Sequence, residues 1–306
     1  MTMDTMRERF TKVTASLVDA DPRVALILAD IGVSGFAATG VVDRHPDRVV
    51  NVGIREQLLI GVAAGMALEG FRPVVHTFAP FLVERPFEQV KLDLGHNDLG
   101  AVLVSVGASY DWAAGGRTHQ APGDVALIGT LPDWVVHVPG HPDEVETFLR
   151  AAVAGDGRVY LRLSEQRNEA AAASSSGFRV VRRGRETAPV VIAVGPMLDR
   201  VLAATAGLDV TVLYTATVRP FDGATLRAVV AGPDVILVEP YLAGTSSGEV
   251  MRALIETPHR LLALGVPNGE LRRYGTADEH DAAHGLDARG LRTQMVRFVE
   301  DSFVAS

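Results

Sequence analysis

The chain has 306 residues, with 29 Lys and Arg against 37 Asp and Glu, and its net charge of -8 is spread along the length. About 47% hydrophobic and 22% charged residues describe a globular chain of two ordinary domains. No Lys/Arg-rich block marks a nucleic-acid groove, and no apolar run approaches the roughly 20 residues of a membrane span. There is no cysteine, which excludes disulfides and thiolate chemistry. With an N-terminus lacking a signal-like apolar stretch, a cytoplasmic location is the expectation.

Short apolar runs alternate with helical patterns. Strands are predicted at Val24–Ala29, Pro73–Phe78, Ala101–Val106, Trp134–Val138 and Val159–Leu163. Helices are predicted at Gln57–Glu69, rich in small residues, at Phe87–Leu94 and at Pro142–Ala154. This alternation predicts a mostly parallel sheet with helices on both faces, a domain over residues 1–169. Residues 170–178, an Ala/Ser run with no periodicity, read as a linker. The pattern restarts over 179–306 with strands at Val190–Val194, Val210–Leu213 and Val235–Val238. Helices follow Gly195-Pro196 through Ala206 and are predicted at Ser246–Glu256 and Ala288–Val299. The expected fold class is therefore α/β, in two domains of the same kind.

Three segments carry chemistry only in combination. In Gly53-Ile54-Arg55-Glu56, a carboxylate at a helix start has a bland explanation, since that end favours negative charge. Thr77-Phe78 with Phe81 three residues on is ordinarily core. Gly115-Gly116-Arg117-Thr118-His119-Gln120 is ordinarily a solvated loop. Their order, however, resembles the pyrimidine-binding domain of transketolase. So does the order of Leu131-Pro132, Val138-Pro139 and Asp143-Glu144-Val145-Glu146. Beyond residue 178, Thr217-Val218-Arg219-Pro220-Phe221-Asp222, Val238-Glu239-Pro240 and Gly285-Leu286-Asp287-Ala288 are similar to the same family's C-terminal domain. Deoxyxylulose-phosphate synthases share much of this pattern, and beta subunits of 2-oxoacid dehydrogenases share less.

The resemblance implies thiamine diphosphate as cofactor, whose thiazolium carbon acts as a carbanion. It assigns Glu56 to the aminopyrimidine ring, where a carboxyl in an apolar pocket stabilises the reactive tautomer by sharing a proton. It assigns Phe78 and Phe81 to stacking on and flanking that ring, Asp30 to the cofactor site, and His119 to the substrate oxygen. The family's diphosphate domain carries Gly-Asp-Gly followed by a distant Asn. The single Gly155-Asp156-Gly157 here lies between a helix and a strand, and Asn168 is too close. The expectation is thus the C-terminal subunit of a split transketolase, moving a two-carbon ketol unit to an aldehyde. A separate N-terminal subunit would hold the diphosphate and Mg²⁺ in an α₂β₂ heterotetramer. The rivals are another thiamine enzyme's beta subunit and a non-catalytic regulatory subunit.

Departures bear on the substrate. Gly115 and Arg117 replace the family's Asp and Pro before Thr-His, and Glu165 stands where an arginine binds sugar phosphate. Arg7 and Ser34 match other phosphate-contacting positions, and Arg117, Arg162 or Arg167 offer compensation. An acceptor that is unphosphorylated or cationic is expected, since like charges repel strongly in a partly buried site. His96, His137 and His141 lack metal-ligand spacing, so no metal site of the chain's own is expected. His76, two residues before Phe78, reads as core or solvated ahead of any place in the pocket.

Overall fold

The computed structural model describes residues 3–173 and 177–301. Its twelve strands are β1 Val24–Leu28, β2 Val49–Asn51, β3 Arg72–Phe78, β4 Val102–Val106, β5 Trp134–His137, β6 Arg158–Arg162, β7 Arg179–Arg182, β8 Val190–Val194, β9 Thr211–Thr215, β10 Thr217–Arg219, β11 Asp234–Leu242 and β12 Arg260–Val266. They form a seven-stranded sheet in the order β10-β5-β6-β4-β3-β1-β2 and a five-stranded sheet in the order β12-β11-β8-β9-β7. All pairings are parallel except those of β7 and β10, which are antiparallel. This is the two-sheet α/β architecture that the alternation predicted.

The buried strands have apolar residues on both sides because each sheet is covered twice. In β1, Val24, Leu26 and Leu28 join one core, while Ala25 and Ile27 join the other. The first core is closed by the helices Met6–Ala20 and Pro142–Ala154, which Arg9 ties together through Asp143 (2.7 Å) and Glu146 (3.1 Å). The helix Met6–Ala20 opens with a capping box, Thr5 and Glu8 each bonding the other's backbone N–H. The second core takes Leu59, Ile60, Ala63 and Ala64 from the helix Glu56–Leu68. Among the described residues, no helix is long and apolar enough to cross a membrane.

The segment predicted as a helix at Phe87–Leu94 is different. It has one short turn, Phe87–Gln89, set between wide turns at Pro80–Glu84 and Val90–His96. These are closed by i to i+5 bonds such as Arg85 N–H to Pro80 C=O (3.1 Å). Pro80 and Pro86 lack N–H groups, so the tighter i to i+4 ladder cannot run through them.

The two halves are joined more closely than a linker implies. Within 170–178, residues 174–176 lie outside the described residues, while Ala172 and Ala173 donate N–H bonds (2.8 Å each) to one oxygen of Glu144. The other oxygen accepts from Gly140 N–H and from the Tyr214 hydroxyl of β9, both at 2.7 Å. Glu144 is fully buried, so this carboxylate pins both sheets and the connecting segment together. The strand β10, from the second half, also adds itself to the edge of the first sheet beside β5.

Candidate active site

In open parallel sheets, ligand sites gather at the carboxyl ends of the strands. Here the ends of β1, β3, β4 and β6 open onto one cleft of about 730 Å³. Its lining includes Arg7, Ile31, Ile54, Phe78, Phe81, Gly107, Trp112, His119 and Glu165. Side chains far apart in sequence thus meet there because most follow strands of the same sheet.

After β1 the chain turns at Asp30, whose φ is 58°, and Asn51 locks the turn. The Asn51 side-chain oxygen accepts from Asp30 N–H (3.0 Å) and Gly53 N–H (3.1 Å), and its amide donates to the Asp30 carboxylate (2.9 Å). Gly53 needs its left-handed φ of 71° to direct the chain into the next helix. Glu56 is the first residue of that helix and is 2% exposed, whereas Ile54 on the turn before it is 70% exposed. A carboxylate so placed gains from the helix dipole. It also forms an ion pair with Arg85 at 2.7 Å, whose guanidinium carbon lies 4.1 Å from the centre of the Phe81 ring.

The aromatic wall comes from β3, the wide turn after it and the loop after β4. Phe78 stacks on Trp112, with centroids 5.5 Å apart and planes 19° from parallel. His119 stands edge-on to Trp112 at 4.4 Å, Phe81 at 5.1 Å and Phe78 at 5.7 Å. Its Nδ1 pairs with the Thr118 hydroxyl at 2.9 Å. Gly107, with φ of 71°, lets β4 pass close behind Phe78; a Cβ there would lie 2.3 Å from Phe78 Cδ1. The glycine at position 115 fits the same crowding. Its Cβ would lie 3.1 Å from both His119 and Trp112, so the indole fills the space a larger residue would need.

Polar groups close the far side. Asp111 accepts N–H bonds from Ala108 and Glu165 (3.0 Å each) and pairs with the Ser164 hydroxyl (3.0 Å). Burial pushes its carboxyl up to about 7, against the lowering pull of the Glu165 N–H. Glu165 itself is exposed on the cleft.

The cleft therefore collects Arg7, Phe78, Phe81, His119 and Glu165; Glu56 and Arg85 are not among its lining residues and connect to it where Arg85 lies over Phe81. Asp30 is turned toward Asn51. Ser34 is exposed on the short helix Val33–Ala38, outside the lining. Arg117 pairs with Glu270 (3.3 Å) and the Gln120 carbonyl (2.8 Å), in a separate concavity with Arg272 and Arg273. Arg162 cannot compensate for a missing phosphate ligand: it is 1% exposed, held by Asp124 (2.7 Å) and Ser109 (2.7 Å). Arg167 bonds the Asp4 carbonyl at 3.3 Å. His76 lies in the core as expected, its Nδ1 on the Val104 carbonyl (2.8 Å) and its ring 4.7 Å from Phe10; burial lowers its pKa to about 4. Trp112, Arg85 and Asp111 were not anticipated from sequence. Only the spacing Phe81-x-x-x-Arg85 after a proline hints at one of them.

A buried carboxylate beside an aromatic, apolar wall is a donor set suited to a flat nitrogen heterocycle. Comparison with known proteins identifies the family. The 33.6 kDa fasciation-locus protein of Rhodococcoides fascians is 52% identical over 295 residues, covering 95% of this chain and 93% of that one. One of the subunits of the apulose-4-phosphate transketolase of Actinobacillus succinogenes is 29% identical, covering 92% and 93%. Among solved structures, a split-gene transketolase described as an inactive beta4 tetramer superposes with a TM-score of 0.81 at 26% identity, covering 94% and 96%. Residues 3–169 match the family model described as transketolase, pyrimidine binding domain, and the chain belongs to that family.

Proposed function

We propose that the chain is the pyrimidine-binding subunit of a two-component transketolase, which transfers a two-carbon ketol unit from a ketose to an aldehyde. The observation that carries this reading is Glu56. It is a buried carboxylate at a helix start, tied through Arg85 to the cleft's aromatic wall. Thiamine diphosphate, when bound, supplies the carbanion that accepts the two-carbon unit. The chain's own residues do the rest. Glu56 holds a proton at the ring nitrogen, and Phe78 and Phe81 fix the plane of the ring. His119 donates to or accepts from the substrate oxygen, and the aromatic box excludes water.

A separate diphosphate-binding subunit holding Mg²⁺ would complete the site in an α₂β₂ assembly. The Actinobacillus relative, named as one subunit of its transketolase, supports a divided enzyme. Glu165 on the cleft favours an acceptor that is unphosphorylated or cationic. The test is turnover of the two-subunit complex with Glu56→Gln. Transferase activity should be abolished while assembly persists, and near-normal turnover would remove the assignment. Screening matched phosphorylated and unphosphorylated aldehydes tests the acceptor class. Pyruvate decarboxylation by the same complex would point instead to another thiamine enzyme.

A further inference from the structure

The pair formed by Arg85 and Glu56 has a geometry beyond that of an ion pair. Arg85 Nη1 lies 2.7 Å from Glu56 Oε2, and the same guanidinium lies over the face of Phe81 at 4.1 Å. One planar, delocalised, nitrogen-rich group therefore pairs with the buried carboxylate and lies over the phenyl ring at once. An aminopyrimidine in this site would satisfy the same two neighbours. Phe81 and Arg85, four residues apart in the helical segment that begins at Pro80, share one side of it. The Glu56 side chain is 3% exposed, and the Arg85 side chain is 38% exposed. The carboxylate is therefore fixed and the cation is the member free to leave.

We infer that Arg85 is a positioning residue that takes the place beside Glu56 and Phe81 where the aminopyrimidine would sit, and that the cofactor displaces it on binding. This rests on the proposed role of Glu56. Without Arg85 the cofactor-free chain would hold a buried, unpaired carboxylate, a costly arrangement. With it, Glu56 keeps a partner and its aim, and the site stays closed to other cations. Displacing an arginine whose own side chain is 38% exposed costs the cofactor a modest part of its binding energy, because the aminopyrimidine then partners the carboxylate in its place.

The experiment uses the chain co-purified with its partner. Thiamine diphosphate with Mg²⁺ is titrated while Trp112 fluorescence is read; the other tryptophan, Trp134, is 6% exposed. Arg85→Ala is expected to bind the cofactor roughly fivefold tighter than wild type. Without cofactor it should melt lower, so its gain on saturation is larger. Millimolar guanidinium should compete with the cofactor in Arg85→Ala but not in wild type, and ammonium should not compete in either. If Arg85→Ala folds poorly, Arg85→Gln, which is shorter and uncharged but keeps the stem to Cδ, serves the same test. Unchanged or weaker cofactor affinity with no guanidinium competition overturns the inference. Glu56→Gln in parallel separates the two ideas. Full activity there sinks the proposed function, whereas an inactive Glu56→Gln beside indifferent Arg85 variants sinks only the role of Arg85.

Discussion

Adding one methyl group at Gly107 should disable the cleft while sparing the fold. The residue has a φ of 71°, and its Cβ would lie 2.3 Å from Cδ1 and 2.8 Å from Cε1 of Phe78. Carbon contacts settle near 3.5–4.0 Å, so the ring must retreat by roughly 1 Å. Retreat is obstructed by Trp112, stacked 5.5 Å away, and by His119 and Phe81. The left-handed backbone adds roughly 1–2 kcal/mol, and the forced repacking about 1–3 kcal/mol. Gly207→Ala is the control. Its φ of 74° is similar, but nothing lies within 4 Å of its Cβ, so it feels the backbone cost alone. Urea unfolding of both variants isolates the steric part. Loss of one stacking face should weaken cofactor binding by roughly fivefold to tenfold in Gly107→Ala and leave Gly207→Ala unaltered. Wild-type affinity in Gly107→Ala, with the predicted loss of stability, would show that Phe78 does not shape the ring site.

Two further outcomes concern the scaffold. Glu144→Gln presents an amide nitrogen to donors on one side, and with four acceptor bonds at stake the loss should be about 3–5 kcal/mol. A urea midpoint that barely moves contradicts the idea that this carboxylate ties the sheets together. Glu239 is fully buried, and burial pushes its carboxyl up to about 7, offset in part by hydrogen bonds from Ser246. The folded state therefore holds a proton that the unfolded chain has released. The stability linked to that proton is fully present below about pH 4.5 and is lost as pH rises through about 7. Glu239→Gln cannot ionise and keeps an oxygen for the Ser246 N–H. Its stability relative to wild type should improve between about pH 5 and pH 8, by at most on the order of 3 kcal/mol. A difference independent of pH across that range refutes the burial argument.

Much of the first sheet was legible because β1, β4 and β6 are buried on both faces and read as apolar runs, interrupted only by Ser105 in β4 and bounded by Arg158 and Arg162 in β6. The edge strands β2, β7, β10 and β12 were not anticipated. The first three have only three or four residues, and their pairing depends on neighbours far along the chain; β12 has seven, partly buried, with no alternation to mark it. The helix Met6–Ala20 was also not anticipated, although Thr5 and Glu8 carry a capping signal. In the site, Phe78, Phe81 and His119 were placed by motif, and the structure does bring them together. Trp112 has no motif of its own. Its contact with Phe78 exists because the loops after β3 and β4 converge and because position 115 has no side chain. Arg85 was hidden for a different reason: its i, i+4 spacing from Phe81 puts the two on one face of any helical turn, but only the fold brings Glu56, 29 positions earlier, against it.

The crossing of β10 into the neighbouring sheet has a practical corollary. A fragment ended within residues 170–178 would strip β5 of its outer partner and expose an open row of amides and carbonyls, an invitation to pair with other molecules. The same cut would take the Tyr214 hydroxyl from Glu144. Neither half should behave as a well-mannered module when expressed by itself, so grafting or swapping of this unit ought to transplant both halves as one block.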